Sequence, residues 1–464
     1  MGRRIGFPAR GFQKCHPASK ESGRFRATGH YKRTTTEDAK RWSIKYRDGV
    51  SILGIAKEEG VDPGTVSSWL HNLGLEIKQG QHLVPQPPLR VPQSVVKLVG
   101  MGPERLTNRV ESGVFGLQAT RAGIEQLEKY CRFIYYYKEG KGVEEIARML
   151  GIHRSTVAEW RNGTDTPYLV KVASATSEPT RPGWKWLPLT LSSGGNSFEN
   201  WVQVPASIAG YEDVTKVVSR LCPLEDTYAR GKTFGLSRSR IDSMRPELFA
   251  YLLGFMLGDA SKLGGKQERF SSMNIDLQLS LKRKTNLRLG EFVCMCANSL
   301  GLQMDRITDK QPTGDSRLGQ QPMGAFRWTS QRTPLLAWAF VAGLGLDWSR
   351  NTSYTPVRME WIFATPFAFR MRFAQGVADS DACVKKYVVE ITSLPNAEFV
   401  KRLLWSVGLM SAYVRIENGL ALRTVVRAIE AADLPLINEF TNGYRYEQLM
   451  RYKRPSGLGE GSAG

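Results

Sequence analysis

The 464-residue sequence has no run of uncharged apolar residues near the roughly 18 needed to cross a bilayer, so no membrane partner is expected. Cysteines are few: Cys15, Cys131, Cys222, Cys294, Cys296 and Cys383. No Cys-x-x-Cys pair with later Cys or His partners occurs, which argues against a structural zinc site. Cys294 and Cys296 stand two apart in a helical pattern and so face different directions. Reduced thiols in an intracellular chain are the expectation. Acids are short relative to bases: 44 Asp and Glu against 64 Lys and Arg leave a net charge of +20. That excess points to a polyanion, either nucleic acid or an anionic membrane surface, of which nucleic acid is the expected partner. The N-terminal stretch MGRRIGFPARGFQKCHPASKESGRFRATGHYKR is nearly free of acids and lacks the apolar core of a secretory signal. It reads as a disordered basic arm over residues 1–36 that tracks phosphates, with an organellar transit peptide as the other reading. A cytoplasmic, nucleoid-associated monomer is expected.

What is present is folded sequence, 41% hydrophobic and 10% aromatic, long enough for several domains at roughly 100–200 residues each. Two segments align without gaps: RWSIKYRDGVSILGIAKEEGVDPGTVSSWLHN (41–72) and RFIYYYKEGKGVEEIARMLGIHRSTVAEWRNG (132–163). Ile55/Ile146, Ala56/Ala147, Gly60/Gly151, Thr65/Thr156, Val66/Val157 and Trp69/Trp160 are identical pairs. Each copy predicts three helices, the first ending at Gly49 or Gly140, a turn at Gly60 or Gly151, and a third helix from Pro63 or near Arg154. The pattern resembles the helix-turn-helix of bacterial and archaeal DNA-binding proteins, whose third helix enters the major groove. Domains over 37–78 and 124–165 are expected. The candidate DNA contacts are Thr65, Ser67, Ser68 and His71, with Asp62 beside them, in the first copy. In the second they are Arg154, Ser155, Thr156 and Arg161, beside His153. The second copy is the more basic and should bind DNA better. Val66, Trp69, Val157 and Trp160 read as core.

HLVPQPPLRVPQS lies between the copies, and residues 79–123 read as a Pro-rich linker. Residues 166–245 read as a small mixed adaptor, a short hairpin around a Gly-Gly turn followed by a helix from about Tyr211. Nothing in it has catalytic spacing.

The second recurrence is LLGFMLGDA (252–260) with AQGVADSDA (374–382), each in a helix introduced by a proline, Pro246 and Pro366. Small residues recur four apart, Gly254 and Gly258 in one, Gly376 and Ser380 in the other. Such spacing lets two helix backbones approach closely. Packed on that face, the helices would place Asp259 and Asp381 side by side at their C-terminal ends. There each carboxylate opposes the helix dipole and repels the other. A hard divalent cation, Mg²⁺ or Mn²⁺, would offset both costs, and carboxylate-held metal suits phosphodiester hydrolysis.

These motifs resemble the paired signature of LAGLIDADG homing endonucleases. The resemblance covers about residues 246–454 and implies an α+β fold. Two pseudo-symmetric αββαββα units, 246–355 and 356–454, would follow the all-α helix-turn-helix modules, with a flexible tail over 455–464. It implies that Asp259 and Asp381 are the catalytic, metal-binding acids and puts Asp379 at the sixth motif position. It also implies a basic residue near the centre, for which Lys282, Lys284, Arg350 and Arg445 are candidates. The chain departs from the pattern with Ala260 and Ala382 at the ninth position and Ala374-Gln375 opening the second motif. No splicing-domain signature flanks the repeats. The implied function is metal-dependent, site-specific cutting of double-stranded DNA. The alternatives are a DNA-binding regulator on a disarmed nuclease scaffold and a maturase that binds intron RNA.

Overall fold

The computed structural model describes residues 34–75, 87–191, 198–258, 278–282, 287–310, 325–346, 355–417, 420–440 and 443–453. Nearly all of the expected basic arm and the whole tail lie outside them. The chain divides into two compact units, Met1–Gln86 and Pro87–Gly464.

The described part of the first unit is three helices, α1 (Thr36–Arg47), α2 (Ile52–Glu59) and α3 (Pro63–Asn72). Local chemistry fixes their ends. Thr35 and Asp38 form a reciprocal capping box at α1. Gly60 ends α2 at φ 66°, a left-handed conformation that glycine adopts without steric cost. Asp62 caps α3, whose first residue is Pro63, a position where the missing N–H costs nothing. Trp42, Ile55, Ala56, Val66 and Leu70 form the small core. Lys45 and Arg41 both hydrogen-bond Glu59, at 3.0 and 2.9 Å, and hold its pKa below the usual carboxylate range.

The second unit opens with six helices: α4 (Gln93–Val99), α5 (Pro103–Gly113), α6 (Arg121–Lys138), α7 (Val143–Leu150), α8 (Arg154–Asn162) and α9 (Tyr168–Ala175). This corrects the linker reading of 79–123. Pro92 immediately precedes α4 and Pro103 is the first residue of α5, so both prolines start helices instead of extending the chain. Val95, Val96, Leu98, Val99, Leu106 and Val110 then bury against α6–α9. The segment before α4 is tied down too: the Arg90 N–H donates to the Arg161 carbonyl at 2.9 Å, and the Tyr137 hydroxyl to the Pro87 carbonyl.

The hairpin β1 (Trp184–Leu191) and β2 (Phe198–Pro205) pairs antiparallel, Trp184 opposite Pro205. Helices α10 (Tyr211–Val218), α11 (Glu225–Thr233) and α12 (Arg238–Ser243) follow. Residues 166–245 are not a separate adaptor. Leu169, Val170 and Val172 of α9 join the core beneath α4–α8, whereas Leu187, Val204, Val214, Val217 and Ile241 join the core of the rest of the unit.

That larger core surrounds α13 (Arg245–Gly258), buried at every position from Leu248 to Leu257. After it come β3 (Gln278–Lys282), α14 (Leu287–Asn298), β4 (Met304–Lys310), β5 (Ala325–Ser330) and α15 (Pro334–Trp338). Then follow α16 (Phe367–Asp381), β6 (Ala382–Val384), β7 (Val388–Thr392), α17 (Ala397–Ser406), β8 (Tyr413–Glu417), β9 (Leu420–Arg427), α18 (Ala428–Asp433) and α19 (Gly443–Met450). The strands form two antiparallel sheets, ordered β3-β5-β4 and β6-β7-β9-β8. One contiguous core spans both expected repeats. Cys294 and Cys296 are both buried because α14 is covered on more than one side.

Candidate nucleic-acid interface and acidic helix ends

In the second unit α6, α7 and α8 form the helix-turn-helix. Gly151 makes the turn at φ 62°, and Val157 and Trp160 of α8 are fully buried, Trp160 against Tyr130 and Phe133. Burying that face leaves the N-terminal turn of α8 in solvent. The His153 imidazole caps it, accepting from the Ser155 N–H at 3.3 Å. Arg154 and Ser155 are exposed, Thr156 is half-buried, and Arg154 lies 3.2 Å from Glu144 in an exposed ion pair. Such a pair contributes little stability and would yield readily to a phosphate. Arg161 is half-buried, its Nε 3.2 Å from Asn162 Oδ1. In the first unit Thr65 and Ser67 are half-buried, while Ser68 and His71 are exposed on α3. Trp69 is only partly buried there; Leu70 fills the core position instead.

The helix pair α13–α16 makes contact through its glycines. A Cβ on Gly254 would stand 2.1 Å from the Phe373 carbonyl oxygen, and one on Gly376 2.2 Å from that of Tyr251. Only hydrogen fits at either position. At the C-terminal ends, a Cβ on Gly258 would lie 2.1 Å from Ser380 Oγ and 2.3 Å from Asp381 Oδ2. The structure therefore brings Gly254, Gly258, Gly376, Ser380 and Asp381 together. Gly258 is the residue before Asp259, and Asp381, the last residue of α16, is partly exposed. Asp259, Lys284 and Arg350 lie outside the described residues. So does the side chain of Lys282, the last residue of β3.

Asp379 has a different environment. It is buried, its Oδ2 accepts from the Tyr251 hydroxyl at 2.7 Å, and its Oδ1 accepts from the Asn438 N–H at 3.4 Å. Burial, reinforced by this carboxylate, pushes the Tyr251 hydroxyl pKa well above its usual value. The side chain locks α13 to α16. Arg445 Nη1 donates to the Asp379 carbonyl at 3.1 Å, which sets a guanidinium on the turn that ends in Asp381.

The β6-β7-β9-β8 sheet contributes a feature the sequence reading missed. Val389 and Ile391 point into the core, so Glu390 points to the other face. It is 4% exposed, yet Arg423 Nη1 at 2.8 Å, Arg415 Nη1 at 3.0 Å and Lys385 converge on it. Burial raises the Glu390 pKa, but hydrogen bonds from Lys385 and Arg423 outweigh this and hold it below the usual carboxylate range. One anion thus anchors three partly exposed cations on a sheet face. The available signal was weak: a glutamate flanked by Val389 and Ile391 in KKYVVEIT.

Cys131, Cys222, Cys294, Cys296 and Cys383 are free thiols. Cys294 gathers with Asp226 and Asp305, but Arg230 already pairs with both aspartates and Glu291, and burial pushes the thiol pKa up to about 12. Arg230 and these acids form an ion-pair network. Among the described residues no helix is long and apolar enough to cross a membrane.

The family model of the homeodomain-like domain matches residues 127–165, the α6–α8 segment. No curated protein matches the chain. Among solved structures, I-DmoI in complex with DNA and Mn is 15% identical, covering 42% of this chain and 97% of its own, at a TM-score of 0.29. Mesophilic variants of the homing endonuclease I-DmoI give 15% identity, 45% and 98% coverage, and 0.31. Full-length DUF199/WhiA from Thermatoga maritima is 13% identical, covering 52% of this chain and 65% of its own, at 0.29. The chain's own residues include a homeodomain-like helix-turn-helix whose third helix opens on an exposed, basic turn.

Proposed function

We propose that the chain is a site-specific, metal-dependent endonuclease of the LAGLIDADG type, in which two helix-turn-helix modules help to select double-stranded DNA. The observation that carries this reading is the glycine contact of α13 with α16, which ends with Asp381 against the residue preceding Asp259. Asp381 stands at the negative dipole end of α16, and a second carboxylate beside it would add repulsion that a cation offsets. Asp381 offers a partly exposed hard oxygen, the donor type that Mg²⁺ takes. Asp259 and Asp381 would hold the ion, which when bound activates water and stabilises the leaving oxygen.

The protein's own groups then have separable roles. Gly254 and Gly376 set how closely α13 and α16 approach. Tyr251 and Asp379 fix the rotation of one helix against the other. Arg445 holds the α16 turn and supplies positive charge toward a scissile phosphate. Lys385, Arg415 and Arg423, organised by Glu390, would contact phosphates from the sheet face, and Arg154 and Ser155 would contact a groove through α8. A pseudo-symmetric pair of units around α13 and α16 is part of this proposal.

A second reading is a DNA-binding regulator that does not cut, and the helix-turn-helix favours it. The two separate in one assay. An endonuclease linearises a plasmid library carrying its site in Mg²⁺ but not in EDTA. A regulator binds the same site in both and leaves the DNA intact.

A further inference from the structure

The outward face of α8 is set by what the helix buries. Val157 and Trp160 are fully buried. At about 100° per residue, the side turned away from them carries Ser155, Glu159 and Asn162, which stand four and then three apart. All three are exposed, with the small Ala158 beside them. Arg154 and Arg161 lie toward one flank of this face, and the half-buried Thr156 lies on the other. Glu159 therefore sits on the surface that a helix-turn-helix turns toward a duplex, one turn beyond Ser155, and it is the only acid on α8.

Its carboxylate is uncommitted. Among the described residues the Glu159 side chain makes no hydrogen bond or ion pair, whereas Arg154 lies 3.2 Å from Glu144. Its backbone, by contrast, is fixed. The Glu159 carbonyl accepts the Thr164 N–H at 3.0 Å and the Thr164 hydroxyl at 3.2 Å, in the turn that Gly163 closes at φ 69°. A free carboxylate on a fixed backbone is pre-organised to meet a donor. Close to DNA an anion is repelled by phosphate, so on this face it gains only where it meets a hydrogen-bond donor. The major-groove donors are the amino groups of cytosine and adenine; guanine O6 and N7 and thymine O4 accept, and would repel a carboxylate. Adenine also sets its N7 acceptor beside the amino group, whereas cytosine presents no acceptor of its own there.

We propose that Glu159 is a specificity-determining residue. Its carboxylate accepts from the N4 amino group of cytosine at one position of the bound site and rejects guanine and thymine there. The proposal rests on α8 being the helix that meets DNA. The single anion on that helix lowers affinity for DNA in general and raises discrimination between sequences.

The test selects bound duplexes from a randomised library in EDTA, in parallel for the full unaltered chain, Glu159→Ala, Glu159→Gln and Arg154→Ala, and then measures affinities by fluorescence anisotropy. Glu159 is exposed, so its substitutions leave the helix-turn-helix core intact. The unaltered chain should select cytosine at one position and bind that site at least about tenfold tighter than the same site with guanine there. Glu159→Ala should abolish the preference at that position while binding unrelated duplex at least as tightly. Glu159→Gln, whose amide both donates and accepts, should move the preference to adenine. Identical selected sites for the unaltered chain and both Glu159 variants overturn the proposal; if Arg154→Ala weakens binding in the same experiment, α8 still meets DNA and only the role of Glu159 falls. If no variant changes either affinity or selected site, α8 is not the interface and both readings fall together.

Discussion

Glycine-to-alanine has opposite expected signs at two helical positions. At Gly254 the new methyl would stand 2.1 Å from the Phe373 carbonyl oxygen, and neither backbone can yield without separating α13 from α16. Gly254→Ala should cost about 1–3 kcal/mol, the range of overpacking. At Gly113, near the end of α5, nothing lies within 4 Å of a built Cβ, and Gly113→Ala should gain about 0.4–1 kcal/mol from the unfolded chain's lost freedom. Urea unfolding of both variants checks this; a Gly254→Ala as stable as the parent would remove the close helix contact. Glu390 gives a pH signature. Its folded pKa lies below the ordinary 4.5, so its stabilisation is full above that value and lost as pH falls through the lower folded value. Glu390→Gln should therefore lower the urea midpoint at pH 7, with the deficit disappearing in acid below about pH 4.5. A deficit independent of pH contradicts the charge assignment.

At the scale of elements, the helix-turn-helix boundaries were legible because every end had its own chemistry. Ser51, Asp62 and Thr120 cap starts, and Gly60, Gly151 and Gly163 close ends in the left-handed region. The glycine face of α13 and α16 was legible for the same reason, because its steric consequence is carried by two repeated spacings. Residues 87–113 were not. The prolines there signal chain breaks locally, and only tertiary burial of Val95, Val96, Leu106 and Val110 shows that they start packed helices. Asp379 was equally opaque. Its motif position names no partner, and Tyr251 lies far away in sequence and faces inward on a helix buried all round. The function of α8 makes a further prediction. Arg154→Ala should weaken DNA binding and reduce the salt dependence by about one counterion if, as proposed, this exposed residue meets phosphate or groove; it carries no core packing. Fluorescence anisotropy across a salt series measures it; an unchanged affinity and slope would place the interface elsewhere.

For the whole molecule, the net charge of +20 and the helix-turn-helix both direct the chain to DNA, but neither separates cutting from binding. The acids do. The central claim is that Asp259 and Asp381 act together on a phosphodiester at the end of a glycine-packed helix pair. The most direct test selects a bound site from a randomised duplex library, then incubates that duplex with the protein in Mg²⁺. The expected result is a discrete double-strand cut, abolished by EDTA and by either Asp259→Asn or Asp381→Asn, with binding retained in both variants. Cutting that survives the two substitutions together, or intact DNA when the selected site is bound by the unaltered chain in Mg²⁺ and in Mn²⁺, contradicts it.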